Sequence, residues 1–250
     1  MENINSIKLA IVTGGGSGLG LAIAHKFVNR DIKTIIVGRN IVKLQEACIK
    51  LGDKGFYEVC DLTKLNELPD LVERIVQKYG NIDILVNNAG INLKKPMVEV
   101  TDEDFQKIVL TNQTSIFSLT REVAKKMVQN SKGVILNISS MASQYGIPQV
   151  IAYTASKSAI EGMTRAMTTE LSPLGIRVNC IAPGFIKTDM SAKALDNDSA
   201  RKVKVFGRTP MGRMGLPSEI ADAAYFLCSD EASFITGVVL PVDGGNSIGF

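Results

Sequence analysis

The chain is poor in the residues that most enzymes use for acid–base and metal chemistry. Its 250 residues include one histidine, His25, and no tryptophan. A single histidine in an early helix leaves a serine-nucleophile mechanism short of its base. G-x-S-x-G does not occur around Ser17 or Ser140. Four cysteines, Cys48, Cys60, Cys180 and Cys228, form no C-x-x-C pair. They are expected to be reduced core residues, and no metal site is expected. A strong charge of either sign is missing too. The net charge of +3 argues against nucleic acid and against a membrane surface as partners. No apolar run approaches the roughly 20 residues of a membrane span. The N-terminus, MENINSIKLA, lacks the charged head and apolar middle of a signal peptide. A cytoplasmic location is therefore expected.

What is present is an alternation of short apolar runs and helical patterns, in a chain that is 45% hydrophobic and 21% charged. Strands are predicted over 8–14, 34–38, 56–61, 82–90, 133–140, 176–184 and 238–245. Helices are predicted over 19–30, 41–52, 68–80, 102–130, 153–171 and 218–229. Thr101 and Asp104 resemble a capping box at the start of the 102–130 helix. Residues 185–215 are predicted to be irregular. Strands that are apolar throughout, with helices between them, imply an α/β fold: a doubly wound parallel sheet covered on both faces. Ligands in such folds bind outside the carboxyl ends of the strands, at the switch point. The candidate site therefore lies near 13–20, 87–92 and 138–145.

The first strand runs into Thr13-Gly14-Gly15-Gly16-Ser17-Gly18-Leu19-Gly20 and then a helix. Glycines there permit a tight turn and let a pyrophosphate approach the helix N-terminus. The phosphate motif G-x-x-x-x-G-K-[ST] is absent, which disfavours an ATPase. Strand 2 ends in Val37-Gly38-Arg39-Asn40, with no acid to hold a ribose 2′-hydroxyl. Arg39 suits a 2′-phosphate, so NADP(H) is preferred, with NAD(H) as the alternative.

Tyr153 alone of five tyrosines has a lysine four residues on, Lys157, on the same helix face. A phenol ionises near pH 10 and needs help to act as a base at neutral pH. A nearby ammonium and a helix N-terminus are expected to favour the phenolate. Ser140, at the end of strand 5, is placed to donate a hydrogen bond to a carbonyl oxygen that gains negative charge.

With these motifs in hand, the sequence resembles the short-chain dehydrogenase/reductase family over essentially its whole length. TGGGSGLG, NNAG at 87–90, ISS at 138–140, YTASK at 153–157 and PG at 183–184 carry the resemblance. It implies one Rossmann-like domain over 1–250, about seven strands in the order 3-2-1-4-5-6-7, and a substrate lid at about 187–215. It implies that Tyr153 moves a proton while hydride passes between nicotinamide and a substrate carbon. Lys157 would hold the nicotinamide ribose and lower the tyrosine pKa. Ser140 would orient the carbonyl, and Asn112 would hold a water that links Lys157 to solvent. The cofactor would lie along Gly14, Gly16, Ser17, Gly18, Leu19 and Gly20, along Arg39 and Asn40, and along Asp61 and Leu62. It would also meet Asn88, Ala89, Gly90, Tyr153, Lys157, Pro183, Gly184, Ile186 and Thr188. A homotetramer is implied, with the helices near 102–130 and 153–171 at one interface.

Two subgroups are similar: gluconate 5-dehydrogenases, and 3-oxoacyl-(acyl-carrier-protein) reductases. Ser17, Ser131 and Leu174 stand where the latter usually have arginines. Segment 187–215 holds seven basic residues and three acids, and Lys94 and Lys95 follow strand 4. A small anionic or polyhydroxy ketone, such as a sugar acid or polyol, is the expected substrate. A 3-oxoacyl-(acyl-carrier-protein) substrate is the alternative, and a non-catalytic nucleotide sensor on the same fold is the second alternative.

Overall fold

In a computed structural model, residues 7–188 and 199–249 are described. Seven strands form the sheet: β1 (Leu9–Thr13), β2 (Lys33–Gly38), β3 (Gly55–Val59), β4 (Ile84–Asn87), β5 (Gly133–Ile138), β6 (Ile176–Pro183) and β7 (Val239–Val242). All pairings are parallel, in the order β3-β2-β1-β4-β5-β6-β7. β1 and β4 are buried at every position, as strands covered on both faces must be. The order reverses between β1 and β4, so the carboxyl ends of these strands open a crevice.

Eight helices are described: α1 (Gly18–Val28), α2 (Ile41–Leu51), α3 (Leu68–Tyr79), α4 (Asp102–Val109), α5 (Ser115–Gln129), α6 (Ile151–Leu171), α7 (Ser199–Arg208) and α8 (Pro217–Cys228). One face of the sheet packs on α1, α2 and α8 through Ile23, Phe27, Leu44, Ile220 and Leu227. The other packs on α3 and α5 through Leu68, Leu71, Ile75, Leu119, Val123 and Met127. α6 joins that layer through Ile160, which meets Ile116 and Cys180.

Two expectations are corrected. The helix expected to run unbroken over 102–130 carries a π-helical turn at Leu110–Thr114, where the Ser115 amide bonds back to the Leu110 carbonyl. One extra residue in the turn shifts the helix face and turns Asn112 inward. The irregular segment 185–215 contains α7, because Val205 and Thr209, four apart, are both buried against Asn246. Residues 189–198 of the expected lid lie outside the described residues. The capping box is present: Thr101 Oγ1 accepts from the Asp104 amide at 3.2 Å, and the Asp104 carboxylate accepts from the Thr101 amide at 3.4 Å.

Candidate active site

A groove of about 530 Å³ crosses the carboxyl edge of the sheet. Arg39, Asp61, Leu62 and Thr63 line one end. Gly14, Ser17, Gly18, Leu19 and Asn88–Gly90 line the middle. Ser140, Tyr153, Lys157, Pro183, Gly184, Ile186 and Thr188 line the other end. His25 lies elsewhere, in a separate groove beside α1 and α8.

The glycine loop is built for close backbone approach. Gly14 has φ +65° and donates its amide to the Val37 carbonyl at 2.8 Å, which turns the chain off β1. A Cβ on Gly20 would fall 2.5 Å from both Asn88 Nδ2 and the Gly14 carbonyl oxygen. Asn88 Nδ2 donates to the Thr13 carbonyl at 2.9 Å, which ties β4 to the loop. Thr13 Oγ1 accepts from the Asn88 and Ala89 amides at 2.9 and 3.0 Å. The first turn of α1 has no acid, and Ser17 makes no side-chain cap bond. The N-terminal amides of α1 are thus left to meet an anion.

At the β2 end, Arg39 Nη1 lies 3.9 Å from Asp61 Oδ2. Burial works against the Asp61 carboxylate. Hydrogen bonds from Thr63 Oγ1 at 2.8 Å and the Thr63 amide at 3.1 Å, with Arg39 nearby, outweigh it and hold its pKa below the usual value. Asn40 lies outside the groove lining. Its Oδ1 accepts from the Lys43 amide and caps α2, so its polar atom is committed to the helix. Gly16 and Gly20 shape the loop from outside the lining as well.

The catalytic candidates converge at the other end. Ser140 caps the short turn Met141–Ser143, its Oγ accepting from the Ala142 amide at 3.2 Å. Tyr153, half-buried on the first turns of α6, has its pKa raised by burial, while a hydrogen bond with Ser140 opposes that rise. Lys157 is 3% exposed, and its Nζ donates to the Ile138 carbonyl at 2.7 Å and lies 5.6 Å from the Tyr153 ring centre. Burial pushes the ammonium down to about 8. The expectation that Lys157 and the helix lower the tyrosine pKa therefore does not hold here. Burial is the first cause for both groups, and desolvation disfavours phenolate and ammonium alike.

Asn112 is fully buried. Its Oδ1 accepts from the Ile91 amide at 2.8 Å, and its Nδ2 donates to the Ile91 carbonyl at 2.8 Å and to Ser156 Oγ at 3.1 Å. Both amide hydrogens are spent, so the expected water-holding role does not fall to its NH₂ group. The side chain instead ties the loop after β4 to α6, behind Gly90 and Lys157.

A family model described as "Enoyl-(Acyl carrier protein) reductase" matches residues 14–247. The chain belongs to the short-chain dehydrogenase/reductase family. It is an oxidoreductase of that family, and the family uses a nicotinamide cofactor. The chain is similar to the 3-oxoacyl-(acyl-carrier-protein) reductase FabG of Chlamydia muridarum, 39% identical over 249 residues, covering 98% of this chain and 99% of that one. A solved structure described as a gluconate dehydrogenase, from Agrobacterium tumefaciens, matches with TM-score 0.94 and 34% identity over 97% of both chains. An actinorhodin polyketide ketoreductase variant solved with NADPH matches with TM-score 0.92 and 32% identity, over 97% of this chain and 98% of that one.

The residues of this dehydrogenase/reductase fit such a cofactor: a glycine cradle that a Cβ would fill, helix amides open to a pyrophosphate, and a groove lined from Arg39 and Asp61 to Tyr153 and Lys157. Sequence reasoning missed that Ile91, Ala142, Ile147, Val150 and Phe185 also line the groove and give it an apolar wall. The available signal was apolar residues in loops after strands 4, 5 and 6, where polar turn residues are the norm.

Proposed function

We propose that this enzyme reduces the ketone of a 3-oxoacyl thioester to the secondary alcohol, with NADPH as cofactor. When bound, the nicotinamide supplies the hydride that adds to the ketone carbon. Tyr153, kept as a neutral phenol by burial, donates its proton to the ketone oxygen. Ser140, bonded to that phenol in the free protein, exchanges that bond for one it donates to the same oxygen as charge grows on it. Lys157 holds the ribose and restores the proton to Tyr153; an ammonium that ionises at about 8 can lose and regain one near neutral pH. Asn112 ties the loop after β4 to the helix that carries Lys157.

The apolar wall carries the choice of substrate. Arg39 and Lys157 are the basic residues among the described lining, and Arg39 stands at the far end. An acyl chain suits such a wall; a sugar acid needs a cation there. Three of the basic residues expected to steer an acid have partners of their own. Lys95 pairs with Asp104 at 2.7 Å, and Arg213 with Glu219 at 2.5 Å. Arg208 donates to the Asn246 carbonyl at 3.0 Å and lies over the Tyr145 ring. The FabG relative, similar over its full length, supports the same reading.

The test is kcat/KM for a 3-oxoacyl thioester, offered on coenzyme A and on carrier protein, beside keto-sugar acids and polyols. The thioesters are expected to be the better substrates. Faster turnover of a sugar acid would favour the second reading, a gluconate-type dehydrogenase, which the neighbour of TM-score 0.94 supports. The preference for NADPH rests on Arg39. A homotetramer belongs to the same proposal: Leu110 and Phe117 on the α4–α5 helix and Ile151 on α6 are exposed apolar residues, and sedimentation tests it.

A further inference from the structure

Glu161 stands one turn beyond Lys157 on α6, and it is buried. A carboxylate in such a place needs hydrogen-bond donors. Among the described residues, two serine hydroxyls provide them. Ser139 Oγ lies 2.9 Å from Glu161 Oε1, and Ser143 Oγ donates to the same oxygen. These serines stand on either side of Ser140. Ser143 Oγ is also 2.5 Å from the Ser140 carbonyl, and Ser139 Oγ is 3.2 Å from the Lys157 carbonyl. Each hydroxyl has one proton, so its bonds to the carboxylate and to the carbonyl alternate. The carboxylate thereby grips both ends of the turn that carries Ser140 and fastens it to the helix that carries Tyr153 and Lys157.

We propose that Glu161 is a positioning residue for the reduction, holding Ser139 and Ser143 so that the Ser140 hydroxyl stays aimed at Tyr153. This rests on the reading that Ser140 orients the substrate carbonyl. Ordinarily a glutamate inside a helix faces solvent. Here it faces the back of the catalytic turn, and its oxygen touches no residue assigned to substrate or cofactor.

The test uses the full chain and four variants: Glu161→Leu, Glu161→Gln, Ser140→Ala, and Ser140→Ala with Glu161→Leu. Glu161→Leu is expected to lower kcat about 10-fold or more and to leave the NADPH dissociation constant within about twofold, because a misplaced donor weakens the transition state and not the nucleotide site. Glu161→Gln keeps an oxygen acceptor and is expected to recover most of the rate. In the Ser140→Ala background, Glu161→Leu is expected to cost less than about twofold more, because both changes remove one interaction. The proposal is overturned by wild-type kcat in Glu161→Leu, or by its full loss repeated on top of Ser140→Ala. Wild-type kcat in Ser140→Ala is a different failure: it removes Ser140 from the mechanism, and the role of Glu161 with it. If Glu161→Leu does not fold, Ser143→Ala decides. A several-fold loss of kcat that Ser140→Ala masks supports the proposal, and wild-type kcat overturns it.

Discussion

Replacing Lys157 with methionine removes a buried ammonium and keeps most of the volume of its stem. Burial moves the Lys157 ammonium from 10.5 down to about 8. At about 1.4 kcal/mol per pH unit, the folded chain disfavours the charged form by about 3 kcal/mol at neutral pH. The Nζ bond to the Ile138 carbonyl, 2.7 Å long, is lost in the variant. Leaving that carbonyl unpaired costs about 1 kcal/mol. Lys157→Met is therefore expected to stabilise the free protein by about 2 kcal/mol, or about 5 °C in Tm for a domain of this size, while removing turnover. The pH dependence has a definite sign. Between about pH 8 and 10.5, the unfolded lysine keeps a proton that the folded one has released. The penalty is complete below that window and relieved above it, so the wild type gains on the variant as pH rises. Burial of the Cys180 and Cys228 thiols, pushed up to about 12, lowers the stability of both proteins in alkali. The Cys228 effect cancels in the difference between the two proteins; Lys157 holds the Cys180 thiol down, so its removal raises that thiol further and adds to the difference with the same sign. Urea unfolding of both at about pH 7 and about pH 10 measures it. A variant less stable than the wild type at neutral pH, or a difference that does not change with pH, would refute the reasoning.

Three further outcomes are expected. Wild-type protein should bind NADPH about 10-fold or more tightly than NADH, and Arg39→Asp should reverse the order by repelling a 2′-phosphate; equal wild-type affinities in a fluorescence titration would remove Arg39 from that role. Gly20→Ala puts a methyl group 2.5 Å from the Gly14 carbonyl oxygen, so it should lower stability by about 2 kcal/mol and weaken cofactor binding; an unchanged Tm and titration would contradict the close approach. Asn112→Leu strands the Ile91 amide and carbonyl and should cost about 3 kcal/mol in denaturant unfolding; a change under about 1 kcal/mol would mean that the tie to α6 is dispensable.

Strand order and the crevice were legible because buried parallel strands favour apolar runs, which β1, β2 and β5 carry at their centres, although Arg177 and Asn179 interrupt β6. Strand 4 was read too long, since Asn88-Ala89-Gly90 continues past Asn87 without a charge to mark the break. The π-turn at Leu110–Thr114 left no trace, because one extra residue hardly disturbs an apolar stripe. Its consequence, Asn112 turned toward Ile91, depends on a contact across 21 residues. α7 was hidden for a similar reason. RKVKVF mixes charged and apolar residues, and it is the C-terminal loop, through Asn246, that meets Val205 and Thr209 in the folded chain. The catalytic candidates were legible as a constellation, but their electrostatics were not. The i,i+4 spacing suggested a lysine that acidifies a tyrosine, whereas burial governs both groups. The basic lid and Lys95 pointed to an acidic substrate, and the partners of Lys95 and Arg213, Asp104 and Glu219, became visible only in the folded chain.

The central claim is that Tyr153 gives its proton to the ketone of a 3-oxoacyl thioester. The most direct measurement is the rate of NADPH oxidation with such a thioester in the wild type and in Tyr153→Phe, which keeps the ring and removes the proton. The account predicts turnover by the wild type and a loss of about 100-fold or more in kcat for the variant. Turnover by Tyr153→Phe at the wild-type rate would contradict it.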